Sequence, residues 1–278
     1  MKQQNADVCE LNAAVSDVLD LMSLEALIAG NILAMHIAKY CSVENAARFL
    51  GNESKTVNLE RYTHETYENG TVKEQFYGVY RWGTPFNSTY GKPADGPEKQ
   101  KYYGDAATYR SRIENMFKPD PCAIDILRSD LNRIWRHGAE LAHFEGKQMF
   151  SGIVRAMFSE SAFLSEEAPH VDSLPIGIAQ LSQQLGANIY LKTPEQGGEL
   201  LIFDLSPFSQ EQVETFENGK LPISEFQDPV KIKPAAGDLI IVNTRRPHAI
   251  RGFQSDEGRM SIQTFIGFNP GEPLQFWC

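Results

Sequence analysis

The sequence has no apolar run long enough to cross a membrane. None of its segments reaches the roughly 18 consecutive apolar residues that a spanning helix needs. The first residues, Met-Lys-Gln-Gln-Asn, also lack the apolar core of a secretory signal. Both absences argue against a membrane-embedded or exported protein, and we expect a cytoplasmic protein that has no membrane partner.

Cysteines and basic residues are also scarce. The four cysteines, Cys9, Cys41, Cys122 and Cys278, are scattered and form no Cys-x-x-Cys pair, which argues against a disulfide framework and against a zinc knuckle. The chain has 36 acidic residues against 26 Lys and Arg, for a formal net charge of -10. Because an acidic surface repels polyanions, we expect no nucleic-acid partner.

The N-terminal half has the pattern of helices arranged around a hairpin. Apolar residues at helical spacing predict four helices: over residues 14–28, after Ser42 to about Leu50, over 106–117 and over 124–144. A strand is predicted over 32–37. Asn69-Gly70 predicts a tight turn between two strands of the segment 56–80. The Gly- and Pro-rich run after Trp82 predicts a long loop, a candidate lid.

The C-terminal half has a different pattern. From Ile153 onward, short strand-like segments alternate with Gly, Pro and Asn, and no stretch is long enough for a major helix. With 278 residues, 42% of them hydrophobic, the chain can bury one sizeable core. We therefore expect a single α+β domain over 1–278, in which 1–150 supplies helical support, the hairpin and a lid region, and 151–278 carries the catalytic half.

Two histidines and an aspartate form a candidate metal-binding pattern in this second half. His170 and Asp172 are two positions apart, so on a strand their side chains project from the same face. His248 follows the apolar run 237–243, which predicts a buried strand. Two imidazoles and one carboxylate on one face of an ion leave other coordination positions open, an arrangement diagnostic of non-haem Fe(II) oxygenases.

Arg259 is a candidate anchor for an organic anion beside this metal. It belongs to a predicted strand, 259–263, and Ser261 lies on the same face of that strand. A guanidinium forms forked hydrogen bonds with a carboxylate, and 2-oxoglutarate presents one when it extends from a metal. H-x-D triplets and single arginines are common by chance, so the signal lies in their conjunction and order.

Residues from about 150 to 278 resemble the Fe(II)/2-oxoglutarate-dependent dioxygenases. The family pattern is His-x-Asp, a long gap, and a second His with Arg-x-Ser downstream, which this chain matches at His170, Asp172, His248, Arg259 and Ser261. The resemblance implies a double-stranded β-helix, a jelly-roll or cupin-like core, buttressed by the N-terminal helices. It also implies Fe(II) held by the first three residues, 2-oxoglutarate held by the last two, and O2 as co-substrate.

More narrowly, the chain is similar to the stand-alone iron halogenases that act on alkaloids or free amino acids. The similarity lies in Gly197-Gly198-Glu199-Leu200, in the strand leading to His248 and in the aromatic end Phe276-Trp277. Those halogenases lack a carboxylate at the position of Asp172, which leaves room for chloride on the metal. We therefore expect a hydroxylase of a free amino acid that releases succinate and CO2. The alternative is desaturation or cyclisation of an alkaloid or another secondary metabolite.

Three residues are candidates for binding the substrate, and each has a simpler interpretation. Arg155 pairs with a substrate carboxylate or is a structural ion-pair partner. Glu167 pairs with an amine or is a solvated loop charge. Trp277 forms a wall of the pocket or packs as a C-terminal anchor. The partner predicted from the sequence is a small-molecule substrate. The sequence is also compatible with a homodimer.

Two different classes of protein also fit the metal pattern. Zinc accepts two histidines and one carboxylate, so a zinc hydrolase is one alternative. Arg259 and Ser261 argue against it, since zinc hydrolysis needs no carboxylate anchor at that spacing. The other alternative is a β-barrel binding protein without enzymatic activity, in which the metal ligands are structural.

Overall fold

The fold is a large mixed sheet with helices on one face and a small sheet on the other. The computed structural model describes residues 15–56, 58–68, 71–158, 169–216, 221, 226–254 and 257–278. The helices are α1 (Leu21–Ile28), α2 (Val43–Thr56), α3 (Pro97–Phe117), α4 (Ala123–Ile134) and α5 (Gln210–Thr215), with a 3-10 turn at Phe86–Thr89. The strands are β1 (Val15–Ser16), β2 (Ala34–Ile37), β3 (Glu60–Glu68), β4 (Thr71–Trp82), β5 (Ala139–Leu141), β6 (His143–Phe144), β7 (Lys147–Gln148), β8 (Ile153–Met157), β9 (Gln183–Lys192), β10 (Leu200–Ile202), β11 (Val230–Ile232), β12 (Leu239–Asn243), β13 (His248–Ile250), β14 (Arg259–Phe268) and β15 (Leu274–Trp277).

The large sheet brings strands from both halves of the chain together. Its order is β1-β2-β12-β9-β14-β8-β4-β3, and β15 joins β14 to β5. Neighbouring strands are antiparallel except in the pairs β1 with β2 and β15 with β5. The small sheet has the order β11-β10-β13, and β6 pairs only with β7. The N-terminal hairpin thus extends the sheet that carries the predicted metal-binding half.

Both faces of the central strands are buried, which explains their continuous apolar sequence. On β12, Leu239 and Ile241 face the main core, which includes the helices. Ile240 and Val242 face a second core, shared with Leu200 of the small sheet. Period-two alternation disappears from a strand when apolar layers cover both of its faces. The sequence therefore indicated a buried strand correctly, but not which side chain faces which layer.

The predicted helix over 14–28 is wrong at its beginning. α1 begins at Leu21, and the side chain of Asp20 accepts a hydrogen bond from the backbone N–H of Ser23 at 2.8 Å. An aspartate at this position satisfies a backbone donor in the first helical turn and so fixes where the helix begins. Val15, which fits the helical spacing, instead forms β1 with Ser16, and β1 pairs with β2.

The predicted helix over 124–144 is wrong at its end. α4 ends at Ile134, and Gly138 takes a positive φ of 83° that turns the chain back. The backbone N–H of Ala139 then donates to Asn132 Oδ1 at 3.0 Å, and β5 pairs with β15. Leu141 fits the apolar spacing of a helix only by coincidence. Its side chain is buried, but it belongs to strand β5.

Other boundaries differ by smaller amounts. α3 begins at Pro97 and not at Ala106, with proline in the first turn, where its missing N–H costs nothing. The predicted loop after Trp82 is therefore shorter and includes the 3-10 turn. The hairpin prediction is confirmed, since β3 and β4 pair antiparallel, but the turn residues 69 and 70 lie outside the described residues. Within the described ranges, no helix has both the length and the apolar character needed to cross a membrane.

Candidate metal centre

Backbone pairing between two distant segments brings the two histidines together. The N–H of His170 donates to the carbonyl of His248 at 2.9 Å, and the N–H of His248 donates to the carbonyl of His170 at 3.0 Å. Residues that exchange both hydrogen bonds have side chains on the same face of the ladder. The two imidazole rings accordingly lie with their centroids 4.5 Å apart. The bridge is isolated, so the predicted regular strand around His170 is only an extended segment.

Asp172 completes the cluster from the same extended segment. Its N–H donates to the carbonyl of Thr244 at 2.9 Å, so the pairing that begins at His170 continues here. Asp172 Oδ2 lies 3.7 Å from His248 Nε2. One donor atom from each of His170, Asp172 and His248 lies within 4.8 Å of the other two. These three side chains are the ones predicted as metal ligands, and the structure brings them together.

The hydrogen bonds of His248 leave one ring nitrogen available for a metal. Nδ1 of His248 lies 2.9 Å from the carbonyl oxygen of Arg246. A carbonyl oxygen only accepts hydrogen bonds, so Nδ1 carries a proton, and in the neutral imidazole Nε2 then keeps its lone pair. Nε2 is the atom that faces Asp172. Metal-binding histidines commonly donate their other N–H to a backbone carbonyl, which fixes the tautomer and the ring orientation.

The charge state of Asp172 also suits a metal ligand. Removal of water around the carboxyl group raises its pKa, but the neighbouring His248, His170 and Arg155 outweigh that effect. The net result is that the pKa of Asp172 lies well below the usual range of an aspartate. The group is therefore an anion at neutral pH. When a metal takes the place of any proton on the ring nitrogens, two imidazoles and one carboxylate match the donor set of Fe(II) in non-haem oxygenases.

Arg259 is a buried cation without a carboxylate partner among the described residues. Its side chain is on the cleft, where Nη2 donates to the hydroxyl oxygen of Tyr190 at 3.1 Å and Cζ lies 4.9 Å from the centre of that ring. Its Nε is buried and has no hydrogen-bond partner. A buried charge is costly unless it is paired. The orphaned Nε and the missing counter-ion fit an anionic ligand such as the distal carboxylate of 2-oxoglutarate.

The cleft that contains these groups encloses about 400 Å³, part of it open to solvent. Ser261 follows Arg259 on the same face of β14 and is fully buried, with Oγ 3.5 Å from Asn188 Oδ1. Ser261 itself is not among the residues that line the cleft. The lining includes polar and apolar residues that were not predicted as site residues: Asn188, Tyr190, Thr244, Gln263, Leu200, Val242 and Ile250. Asn188 and Tyr190 of β9, and Arg259 and Gln263 of β14, are at even spacing and so share a face of their strand. The spacing does not reveal which of the two faces lines the cleft.

The three predicted substrate residues have different positions. Arg155 lies opposite Ser261 in the sheet and lines the cleft, where Nη1 donates to Gln263 Oε1 at 2.9 Å. Trp277 is fully buried and packs edge-on against Phe144 with ring centroids 5.5 Å apart. It is not among the residues that line the cleft. The prediction that Trp277 forms a pocket wall is corrected, because β15 directs this ring into the apolar core. Glu167 lies outside the described residues.

Comparison with known proteins connects this geometry to a family. Residues 145–277 match the model of the family described as carrier-protein-independent halogenase WelO5. The L-gamma-glutamyl-L-propargylglycine hydroxylase of Streptantibioticus cattleyicolor is 24% identical over 205 residues, which cover 71% of this chain and 73% of that protein.

Solved structures extend the comparison over nearly the whole chain. The N-substituted L-amino acid dioxygenase of Burkholderia ambifaria AMMD superposes with a TM-score of 0.54 and 14% identity, covering 93% of this chain and 91% of the other. Its complex with alpha-KG gives a TM-score of 0.56 and 12% identity with the same coverage. These two structures establish the fold. The family match, the hydroxylase relative and the His-Asp-His cluster together support the Fe(II)/2-oxoglutarate-dependent dioxygenase superfamily.

Proposed function

We propose that this protein hydroxylates an unactivated C–H bond of a free amino acid or a close derivative. Its co-substrates are 2-oxoglutarate and O2, and its co-products are succinate and CO2. The observation that carries the proposal is Asp172, which completes the set of two histidines and one carboxylate and fills the position that a halide needs. The names of the relatives support the substrate class, since one is a hydroxylase of L-gamma-glutamyl-L-propargylglycine and the other a dioxygenase of N-substituted L-amino acids.

Each group at the site has a defined task in this reaction. His170, Asp172 and His248 would hold Fe(II), which, when bound, supplies the activation of dioxygen for insertion of one oxygen atom into the C–H bond. Arg259 and Ser261 bind the distal carboxylate of 2-oxoglutarate and so fix the orientation of the co-substrate. The apolar side chains of Leu200, Val242 and Ile250 exclude water from the reacting groups.

Arg155 is the residue that we assign to the substrate. Its guanidinium lines the same cleft as the metal-binding side chains, and its hydrogen bond to Gln263 fixes its direction. A carboxylate is the natural partner of a cation held in this way, and amino acids carry one. The proposed amine contact of Glu167 remains a prediction.

The fold and the assembly complete the proposal. We infer that the large and the small sheet form the two sides of a double-stranded β-helix, with the candidate metal centre between β13 and the extended segment 169–174. The apolar layer between the sheets supports this assignment. We also propose that residues 1–150 and 151–278 form one domain, since strands from both parts share the large sheet. A homodimer stays a prediction that light scattering on the purified protein tests.

The first test of the function is spectroscopic. Adding Fe(II) and 2-oxoglutarate without oxygen is expected to give a weak visible charge-transfer band, because the co-substrate chelates the metal beside Arg259. Admitting O2 with a panel of amino acids and their derivatives is then expected to release succinate fastest with the true substrate. Zn(II) in place of Fe(II) is the control and gives no band. Tight retention of zinc with no band from Fe(II) would favour a hydrolase instead.

A second test concerns substrate binding. Arg155→Gln is expected to raise the KM for the amino-acid substrate by about 10- to 100-fold, since hydrogen bonds to charged groups contribute about 1.5–3 kcal/mol. The Kd for 2-oxoglutarate is expected to stay within about twofold, because the charge of Arg259 is retained. Arg133→Gln, a change at an exposed arginine of α4, is the matched control. An unchanged KM for the substrate would remove Arg155 from the site.

A further inference from the structure

Asp172 is held by a network of hydrogen bonds that replaces a regular strand. The extended segment 169–174 forms one isolated bridge, at His170, and no regular strand. The backbone groups of Asp172 therefore need hydrogen-bond partners other than a regular neighbouring strand. Its groups are nevertheless satisfied. Thr244 accepts from the N–H of Asp172 at 2.9 Å and donates from its hydroxyl to the carbonyl of Asp172 at 3.0 Å. One residue thus binds both polar backbone groups of Asp172.

Gln184 supports the same segment from β9. Its Nε2 donates to the carbonyl of Asp172 at 3.3 Å, and its Oε1 accepts from the N–H of Leu174 at 2.7 Å. Both Gln184 and Thr244 are 2% exposed. A side-chain amide that donates to one residue and accepts from another two positions along the chain imitates a neighbouring strand. Because buried polar groups need such partners, the segment has one favoured path.

Steric packing fixes the direction of the Thr244 hydroxyl. A Cβ atom added at Gly186 would lie 2.6 Å from Thr244 Cγ2. The methyl group of Thr244 therefore occupies the space that a side chain at position 186 would take. β-branched side chains have few allowed χ1 rotamers, so placing the methyl group against Gly186 directs the hydroxyl group to the other side. That hydroxyl has one proton, and its shorter contact is to Asp172, with the carbonyl of Gln184 at 3.3 Å.

We propose that Gln184 and Thr244, with Gly186 as the packing surface, are positioning residues that hold the Asp172 carboxylate toward the two imidazoles. Neither residue is assigned a contact with the metal. Both donate hydrogen bonds to the backbone carbonyl of Asp172, so they affect the position of its carboxylate. They therefore influence the metal affinity of the site without supplying a donor atom to the metal. Partners of this kind typically contribute about 10- to 100-fold to metal affinity or activity. The inference rests on the proposed function, in which Asp172 is a metal ligand.

Two substitutions of Thr244 distinguish the effect of its hydroxyl group from the effect of its methyl group. Thr244→Val keeps the contact with Gly186 and removes the donor to Asp172, and we expect the Kd for Co(II) to rise by about 10- to 100-fold. Thr244→Ser keeps the donor, and its Kd is expected to stay within about threefold of the unsubstituted protein. Co(II) reports binding through its own absorption spectrum, so the measurement needs no substrate and no turnover.

A matched control distinguishes positioning from general stability. Thr264→Val makes the same change at a fully buried threonine of β14, whose hydroxyl oxygen lies 2.8 Å from Ser151 Oγ and 3.1 Å from the carbonyl oxygens of Phe265 and Trp277, away from the candidate metal ligands. We expect this variant to lower the melting temperature of the metal-free protein and to leave the Kd for Co(II) unchanged. Gln184→Glu is a second variant, because it keeps the acceptor for Leu174 and loses the donor to Asp172.

A double substitution tests whether Thr244 acts through Asp172. In an Asp172→Ala background the carboxylate is gone, so Thr244→Val is expected to cause no further loss of Co(II) affinity. Equal losses with and without Asp172, or a Thr244→Val protein that binds Co(II) as tightly as the unsubstituted one, would overturn the inference. Failure of the unsubstituted protein to bind Co(II) or Fe(II) would instead overturn the proposed function, so the two failures are distinguishable.

Discussion

Replacing Asp172 with alanine is expected to reduce succinate formation by more than about 100-fold, since even partners outside the ligand set contribute 10- to 100-fold. The carboxylate is the anionic member of the proposed ligand set, and its low pKa keeps it ionised at neutral pH. The two imidazoles that remain cannot complete the set that non-haem Fe(II) oxygenases use. The measurement is succinate release under saturating Fe(II), 2-oxoglutarate and substrate.

The control for this variant is an aspartate away from the cleft. Asp228 is exposed, so Asp228→Ala is expected to leave succinate release unchanged. Asp172→Gly with added formate provides a further check, because the small anion fits where the carboxylate was and is expected to recover part of the Co(II) affinity. Full turnover by Asp172→Ala would contradict the assignment of Asp172 as a ligand.

Replacing Arg259 with glutamine is expected to raise the Kd for 2-oxoglutarate by at least about 30-fold, because removing one partner of a buried charge pair costs about 2–5 kcal/mol. Arg259 is 5% exposed and has no carboxylate partner among the described residues, so the ligand supplies the only counter-ion that the structure points to. The measurement is titration of the visible charge-transfer band with 2-oxoglutarate under anaerobic conditions.

Two variants refine this second result. Arg259→Lys keeps the charge but loses the planar fork, so we expect it to bind 2-oxoglutarate more weakly than the unsubstituted protein and more tightly than Arg259→Gln. Arg251→Gln changes an arginine whose side chain is 56% exposed and is expected to have no effect. The affinity for Co(II) without 2-oxoglutarate should be the same in all of them. An Arg259→Gln protein with normal 2-oxoglutarate affinity would exclude Arg259 as the anchor.

The sequence predicted the cluster of His170, Asp172 and His248 because its signal is local. His170 and Asp172 share a face through period-two alternation, and His248 follows a strand whose apolar residues are buried on both sides. Each of these patterns depends on only a few neighbouring residues. The order of the residues along the chain, and not their distance in space, carried the resemblance to the dioxygenases.

The same local reasoning was wrong where one sequence pattern is compatible with both a helix and a strand, or with both a pocket wall and the core. Leu141 fits the spacing of a helix that continues from α4, yet it lies in β5 because Gly138 turns the chain and β15 offers a partner. Trp277 was a candidate for the pocket wall, yet β15 directs it into the core. Tertiary pairing overrides a periodic pattern when a neighbouring strand satisfies the backbone better than continued helix does.

The sequence by itself thus predicted the candidate donor residues of this protein, their order along the chain and the reaction class that they would allow. Only the tertiary structure decided how they meet, because the contact between His170 and His248 depends on pairing between segments far apart in the chain. It also decided that Gln184 and Thr244 hold Asp172. Which side chains share a cleft follows from strand register, and register is fixed by packing summed over the whole sheet and not by any single segment.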